Sequence, residues 1–208
     1  MGFGIIFIGY LFTVFDMGFI VNEALLVFVC KLLCFFAYVI MLFGLRRYAA
    51  YSQYAKYSLI GAALYAAAML GECVIQALWT FGVMEQSLMV TVRSYTFTLI
   101  AVLYALTHVT LFFAIYRTGI EVECEKVKKS GIRSVAATGA FCIINTAASL
   151  PLSLGEAFYV IRYALFIAVT VVNAVTVYTA YRYVCLDTEL EAERMEALTE
   201  KTHGKGKK

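Results

Sequence analysis

The stretch Ser94–Tyr116 reads SYTFTLIAVLYALTHVTLFFAIY, 23 residues with no aspartate, glutamate, lysine or arginine. A helix rising about 1.5 Å per residue needs about 20 such residues to cross a hydrocarbon layer of about 30 Å. The stretch therefore predicts a transmembrane helix, with His108 near its centre. Five more stretches reach that length on either side: Phe3–Val21, Ala24–Leu45, Ser58–Val83, Ser134–Leu154 and Phe158–Tyr181. Asp16 and Lys31 interrupt the first two, whose combined length fits a hairpin turning at Asn22–Glu23. The ten-residue alternating segments of a membrane β-barrel are absent. The expected fold class is all-α: a polytopic transmembrane helical bundle, six helices in three hairpins. Residues 1–184 form the membrane domain and 185–208 a charged cytoplasmic tail.

Composition agrees. Of 208 residues, 62% are hydrophobic and 15% charged, with a single proline. A soluble domain runs nearer 45–50% apolar and about 25% charged, so water-soluble, disordered and collagen-like chains are excluded. The net charge of +3 resides in the loops, and nucleic-acid binding is not implied. Fourteen of the 17 lysines and arginines fall in 46–56, 117–133 and 182–208, which by the positive-inside rule places both termini in the cytoplasm. Cys124 and Cys185 then lie on a reducing face, and Cys30, Cys34, Cys73 and Cys142 lie within spans, so no disulfide is expected. The start of the chain lacks the basic region of a secretory signal, and Ile6 stands where myristoylation wants Ser or Thr.

Tyr48, Tyr51, Tyr54 and Tyr57 recur among basic residues and predict an interfacial turn or short amphipathic helix. Ala63, Ala67 and Gly71, and later Ala136 and Ala140, stand four apart, the spacing at which small residues let membrane helices approach closely. On that basis the third and fifth helices are expected at the centre of the bundle. The acidic start of the tail, from Asp187 to Glu200, reads as a continuation of the sixth helix.

The opening MGFGIIFIGYLFTVF (1–15) and MLFGLRRYAAYSQYAKY (41–57) resemble the start of a set of uncharacterised integral membrane proteins of Gram-positive bacteria, also about 200 residues long. The resemblance covers about the first third of the chain. It implies a bacterial plasma-membrane location and brings no activity or site residues with it.

Ionisable groups inside the hydrocarbon are the leads to function, because each costs several kcal/mol unless paired or hydrated. Asp16 and Lys31 sit at depths that differ by about 3 Å and are expected to pair across the first hairpin. Glu72 lies outward of the middle of the third helix, with Gln76 one turn further on the same face. Arg162 opens the sixth helix on the same side. These charges define either a polar cavity that binds a small zwitterionic or polar ligand, or relays protons through Glu72, or a neutral network that fixes helix register. In the inner half, His108, Asn145 and Asn173 are placed either to hydrogen-bond between helices or to continue a ligand or proton path that Glu72 begins.

No P-loop, GxSxG elbow, HExxH or Cys-x-x-Cys motif is present. With two histidines, one of them His203 in the tail, neither haem nor a His-rich metal site is expected. No cofactor is assigned. The expectation is a non-enzymatic accessory or regulatory membrane subunit meeting a partner protein through loop 117–133 and tail 185–208. The alternative is a small-solute transporter or substrate-binding membrane component that uses the outer polar cluster.

Overall fold

The computed structural model describes residues 2–13, 24–147 and 156–186. Among these residues the secondary structure is helical, without strands: α1 (Phe3–Phe12), α2 (Ala24–Tyr48), α3 (Gln53–Thr80), α4 (Gln86–Glu121), α5 (Glu125–Ala147) and α6 (Glu156–Ala180), the last running into a π-helical turn at Tyr181–Leu186. Three of them, α2, α3 and α4, and the stretch Val160–Val184 are long and apolar enough to cross a membrane. The other two expected spans are met in part. The described part of the first is the ten-residue α1, and 14–21 lie outside the described residues. Helix α5 opens on Glu125, Lys126, Lys128 and Lys129, and residues 148–154 lie outside the described ones.

The interior of the bundle mixes an apolar core with a set of buried polar residues, and much of the outside is apolar. Ser58, Thr107, His108, Ser134, Thr138 and Asn173 are completely buried, while Phe43, Val74, Ile143 and Val160 are exposed. In water so much exposed apolar surface is unfavourable. In lipid the arrangement places hydrogen-bonding groups where partners exist and apolar groups against acyl chains.

The helices pack in chain order, α1 on α2 through to α5 on α6, and α6 returns to α1 to close a ring. Facing residues run in opposite senses. On α3 and α4, Gln76 meets Arg93, Glu72 meets Thr96, and Tyr65 meets Tyr104. On α5 and α6, Ser130 meets Thr176, Thr138 meets Asn173, and Asn145 meets Arg162. On α1 and α6, Phe7 faces Tyr178 and Tyr10 faces Asn173.

Helix ends have local causes. Helix α3 stops at Gly82, whose φ of +72° turns the chain so that the Val83 N–H reaches the Leu78 carbonyl at 2.8 Å. Helix α4 stops in the same way at Glu123 (φ 52°), and Cys124 N–H reaches the Gly119 carbonyl at 2.9 Å. A left-handed residue other than glycine costs about 1–2 kcal/mol.

Three expectations change. The stripe Ala63–Ala67–Gly71 faces outward, as do Ala136 and Ala140, and a side-chain carbon on Gly71 would meet nothing within 4 Å. The close approaches are elsewhere: Gly61 against Thr107, Gly119 against Lys128 and Gly131 against Tyr116. Helix α4, rather than α3, is the most enclosed of the four long apolar helices, with half of its most apolar window buried. It is held on both sides because glycines from α3 and α5 and its own Gly119 thin the two contacts. Finally, the loops shrink. Between α4 and α5 only 122–124 are non-helical, so most of 117–133 is helix. The tyrosine-rich segment makes no helix of its own: Tyr48 ends α2 and is buried, Tyr54 and Tyr57 belong to α3, and the turn spans 49–52. The expected continuation of the sixth helix from 187 onward lies outside the described residues.

Candidate functional site

Glu72 and Gln76 lie one turn apart on α3, and both face inward, 4% and 1% exposed. A carboxylate so enclosed needs partners, and α4 supplies them. Thr96 Oγ1 donates to Glu72 Oε1 at 2.5 Å, and Arg93 Nε lies 3.7 Å from Glu72 Oε2. Arg93 Nη2 also donates to Gln76 Oε1 at 3.0 Å, while Gln76 Nε2 donates to the Ala24 carbonyl at the start of α2 at 3.2 Å. One arginine therefore serves a full turn of α3, and Gln76 ties that turn to α2. The Arg93 side chain keeps about a third of its surface exposed, which softens its attraction for Glu72.

Across the bundle, Arg162 on α6 donates through Nε to Asn145 Oδ1 on α5 at 2.9 Å. Its guanidinium carbon sits 5.0 Å from the centre of the Phe97 ring, a cation–π contact back to α4. Between these groups is a cavity of about 460 Å³, to which Lys31, Glu72, Arg93, Asn145 and Arg162 contribute the polar wall. Its other lining side chains are apolar or aromatic. Tyr104 stands edge-on to Phe141 at 5.8 Å, and Phe141 lies 5.7 Å from Phe166, so these rings form a continuous aromatic wall. Five helices, α2 to α6, contribute to it. The volume lies in the range of small-molecule sites, about 300–1,000 Å³.

Tyr104 also leads to the centre of the bundle, where His108 is enclosed by rings. The Tyr104 and His108 centroids are 4.1 Å apart, and Tyr10 and Tyr38 approach His108 edge-on at 5.4 and 5.9 Å. Further along, Asn173 Nδ2 donates to Tyr10 Oη and to Thr138 Oγ1, both at 2.9 Å, joining α6 to α1 and α5. Ser134 and Ser130 then meet Thr176 at 2.8 and 2.7 Å. This seam satisfies buried hydroxyls and an amide between helices; in lipid each such bond contributes about 0.6–2 kcal/mol.

Of the residues singled out in the sequence, Lys31, Glu72, Asn145 and Arg162 are brought around one cavity, and Gln76 joins them through Arg93. Asp16, and with it the expected ion pair to Lys31, lies outside the described residues. Asn145 belongs to the cavity instead of the inner cluster, because α5 begins at Glu125 and carries it level with Arg162. His108 and Asn173 lie beyond the aromatic wall. Arg93, Thr96 and the rings join the site as well. Arg93 has a visible signal: it immediately precedes Ser94–Tyr116, where an antiparallel neighbour would offer it Glu72. Among the described residues, no three His, Cys, Asp or Glu side chains gather in a way that could hold a metal ion. No family model, curated protein or solved structure matches the chain.

Proposed function

We propose that the protein is a non-enzymatic, small-solute-binding membrane component, a transporter or the substrate-binding part of one, whose site is the cavity between α2 and α6. The observation that carries this reading is the 460 Å³ space itself, walled by Lys31, Glu72, Arg93 and Arg162. Charged groups from four helices border a volume large enough for a ligand. Native mass spectrometry of the protein gently extracted from its membrane tests it. A stoichiometric small-molecule adduct is expected in the wild type and is expected to vanish in Ile100→Trp, which fills the cavity and leaves every charge in place. An adduct unchanged in that variant places the ligand elsewhere and sinks the reading.

In this reading the helices form three hairpins in a bacterial plasma membrane, both termini are cytoplasmic, and the cavity lies in the outer half. A cysteine introduced at Glu85 is expected to react with an impermeant reagent outside the cell, and one at Lys126 is not; the reverse pattern inverts the orientation. A second reading, the accessory subunit, is favoured by the exposed Lys126, Lys129 and Arg133 on the first turns of α5. The same mass spectra decide it: a bound second polypeptide supports it, and a chain without one removes it.

A further inference from the structure

We infer that the cavity takes a small uncharged aromatic carbonyl compound, its oxygen accepting from Asn145 Nδ2 and its ring lying against Phe141 and Phe166 one turn away. The inference rests on the small-solute reading above and names the chemistry of that solute.

The donor comes first. Asn145 lines the cavity and is 9% exposed. Arg162 is a donor only, so the Asn145 atom that meets its Nε at 2.9 Å is the carbonyl oxygen, and the amide's NH2 takes the other branch of the side chain. Among the described residues, that Nδ2 meets no acceptor. An enclosed amide donor without a partner is costly, and an acceptor brought by a ligand recovers the loss. Arg162 acts here as a positioning residue, because its bond to the oxygen fixes where the NH2 sits.

Register comes second. Phe141 stands four residues before Asn145 on α5, and Phe166 four residues after Arg162 on α6. The two helices run in opposite senses, so these pairs make two layers about 6 Å apart, amide and guanidinium in one and rings in the other. Phe141 lies 5.7 Å from Phe166, and Tyr104 stands edge-on to Phe141 at 5.8 Å. A flat aromatic body adds to this array in the offset and edge-to-face contacts that rings prefer. A ligand whose ring joins that layer needs its acceptor one helical turn away, the span of a two-carbon link between ring and carbonyl.

Charge comes third. The charged groups of the wall are occupied by the protein itself. Glu72 is held by Thr96 and faces Arg93, and Arg93 also donates to Gln76. Arg162 is engaged by Asn145 and rests on Phe97, and both it and Lys31 have a further interaction. An ionic ligand would have to displace one of these partners and give up its own hydration. An uncharged ligand leaves them all in place.

The test uses the full chain in nanodiscs, with 4-phenyl-2-butanone as probe and ligand-observed NMR as readout, and with empty nanodiscs as the blank for partition into lipid. Three analogues of similar size are compared with it: the charged 3-phenylpropionate, the saturated 4-cyclohexyl-2-butanone and isopentylbenzene, which has no acceptor. The ketone is expected to bind at least about tenfold more tightly than each. Asn145→Asp keeps an oxygen for Arg162 and removes the NH2; it is expected to weaken the ketone by about tenfold and to leave isopentylbenzene unchanged. If that variant does not fold, Phe141→Leu is expected to abolish the preference for the phenyl over the cyclohexyl ketone. Equal or tighter binding of the acid overturns the uncharged class, and equal binding of the cyclohexyl ketone overturns the ring. Equal binding of isopentylbenzene, or of the ketone to Asn145→Asp, overturns the amide donor. A ketone that does not bind overturns the inference as a whole. If the native adduct lost in Ile100→Trp is nevertheless present, the cavity reading stands without it, and if no adduct exists both fall.

Discussion

Tyr38 Oη lies 2.7 Å from His108 Nε2, joining α2 to α4 across 70 residues of chain, and both side chains are buried. His108 Nδ1 has no hydrogen-bond partner among the described residues. The histidine is thus held by one nitrogen, and the phenol is its polar contact.

Tyr38→Phe removes that contact and leaves the imidazole's second nitrogen unmet as well. The expected loss is about 1–2 kcal/mol in an unfolding titration, the upper range for interhelical bonds in membranes. Combining it with His108→Phe is expected to cost less than the two single changes together, because replacing both polar partners leaves nothing orphaned. Additive losses would show that the pair is not coupled.

The glycines divide into two kinds. A β-carbon on Gly119 would lie 2.5 Å from the Lys128 backbone nitrogen, and one on Gly131 would lie 2.7 Å from Tyr116 Cα. Backbone cannot swing aside as a side chain can, so Gly119→Ala and Gly131→Ala are each expected to lose about 1–3 kcal/mol. Gly71→Ala meets open space and is expected to be neutral or to gain up to about 1 kcal/mol from helix propensity. Melting temperatures of the three variants in one detergent check the contrast, and a cost at Gly71 would mean that its outward face is covered.

At the start of α5, Lys128 Nζ donates to Glu125 Oε1 at 2.9 Å. This hydrogen bond, and then the lysine's charge, hold the Glu125 carboxyl below its ordinary range, and the same bond holds Lys128 above its own. The carboxylate's contribution is present above the ordinary glutamate pKa of about 4.3 and is lost as pH falls through the lowered value. The lysine's is present below its ordinary pKa of about 10.4 and is lost as pH rises through the raised one. Both groups are exposed to solvent, so the effect is small. Glu125→Gln is expected to lower the melting temperature slightly at pH 7 in low salt, and not at all in acid that protonates the carboxyl or in molar salt. A difference that survives acid would assign Glu125 another role.

Much of the helical plan is legible in the sequence because runs such as Ser94–Tyr116 announce themselves by length and lack of charge. Ends are harder to read. Helix α5 starts nine residues before the expected Ser134, because Glu125–Arg133 is charged yet helical, a helix projecting past the apolar zone. Composition alone also misassigns faces. Ala63, Ala67 and Gly71 have the spacing of a packing stripe, but the neighbouring residues Ser58, Gly61 and Tyr65 face α4, and the stripe points away. The site is half legible. Glu72, Lys31 and Arg162 stand out as charges in apolar text, whereas Arg93 looks like an ordinary helix-end arginine until α3 and α4 are set side by side. The aromatic wall is invisible among 16 phenylalanines and 15 tyrosines.

The contact between the first helix and the last sets a timetable for synthesis. Tyr10 is made before the amide it meets, Asn173, which comes 163 residues later. Gly4 waits longer still, for the ring of Tyr181, which would lie 3.3 Å from a β-carbon at that position. Every other helix finds its neighbour in the segment made just before it. The clasp between beginning and end is the long-range closure, the slowest kind of contact to form. A nascent chain halted before α6 holds an open bundle in which the Tyr10 hydroxyl lacks the Asn173 amide, the state that a membrane quality-control protease would meet first.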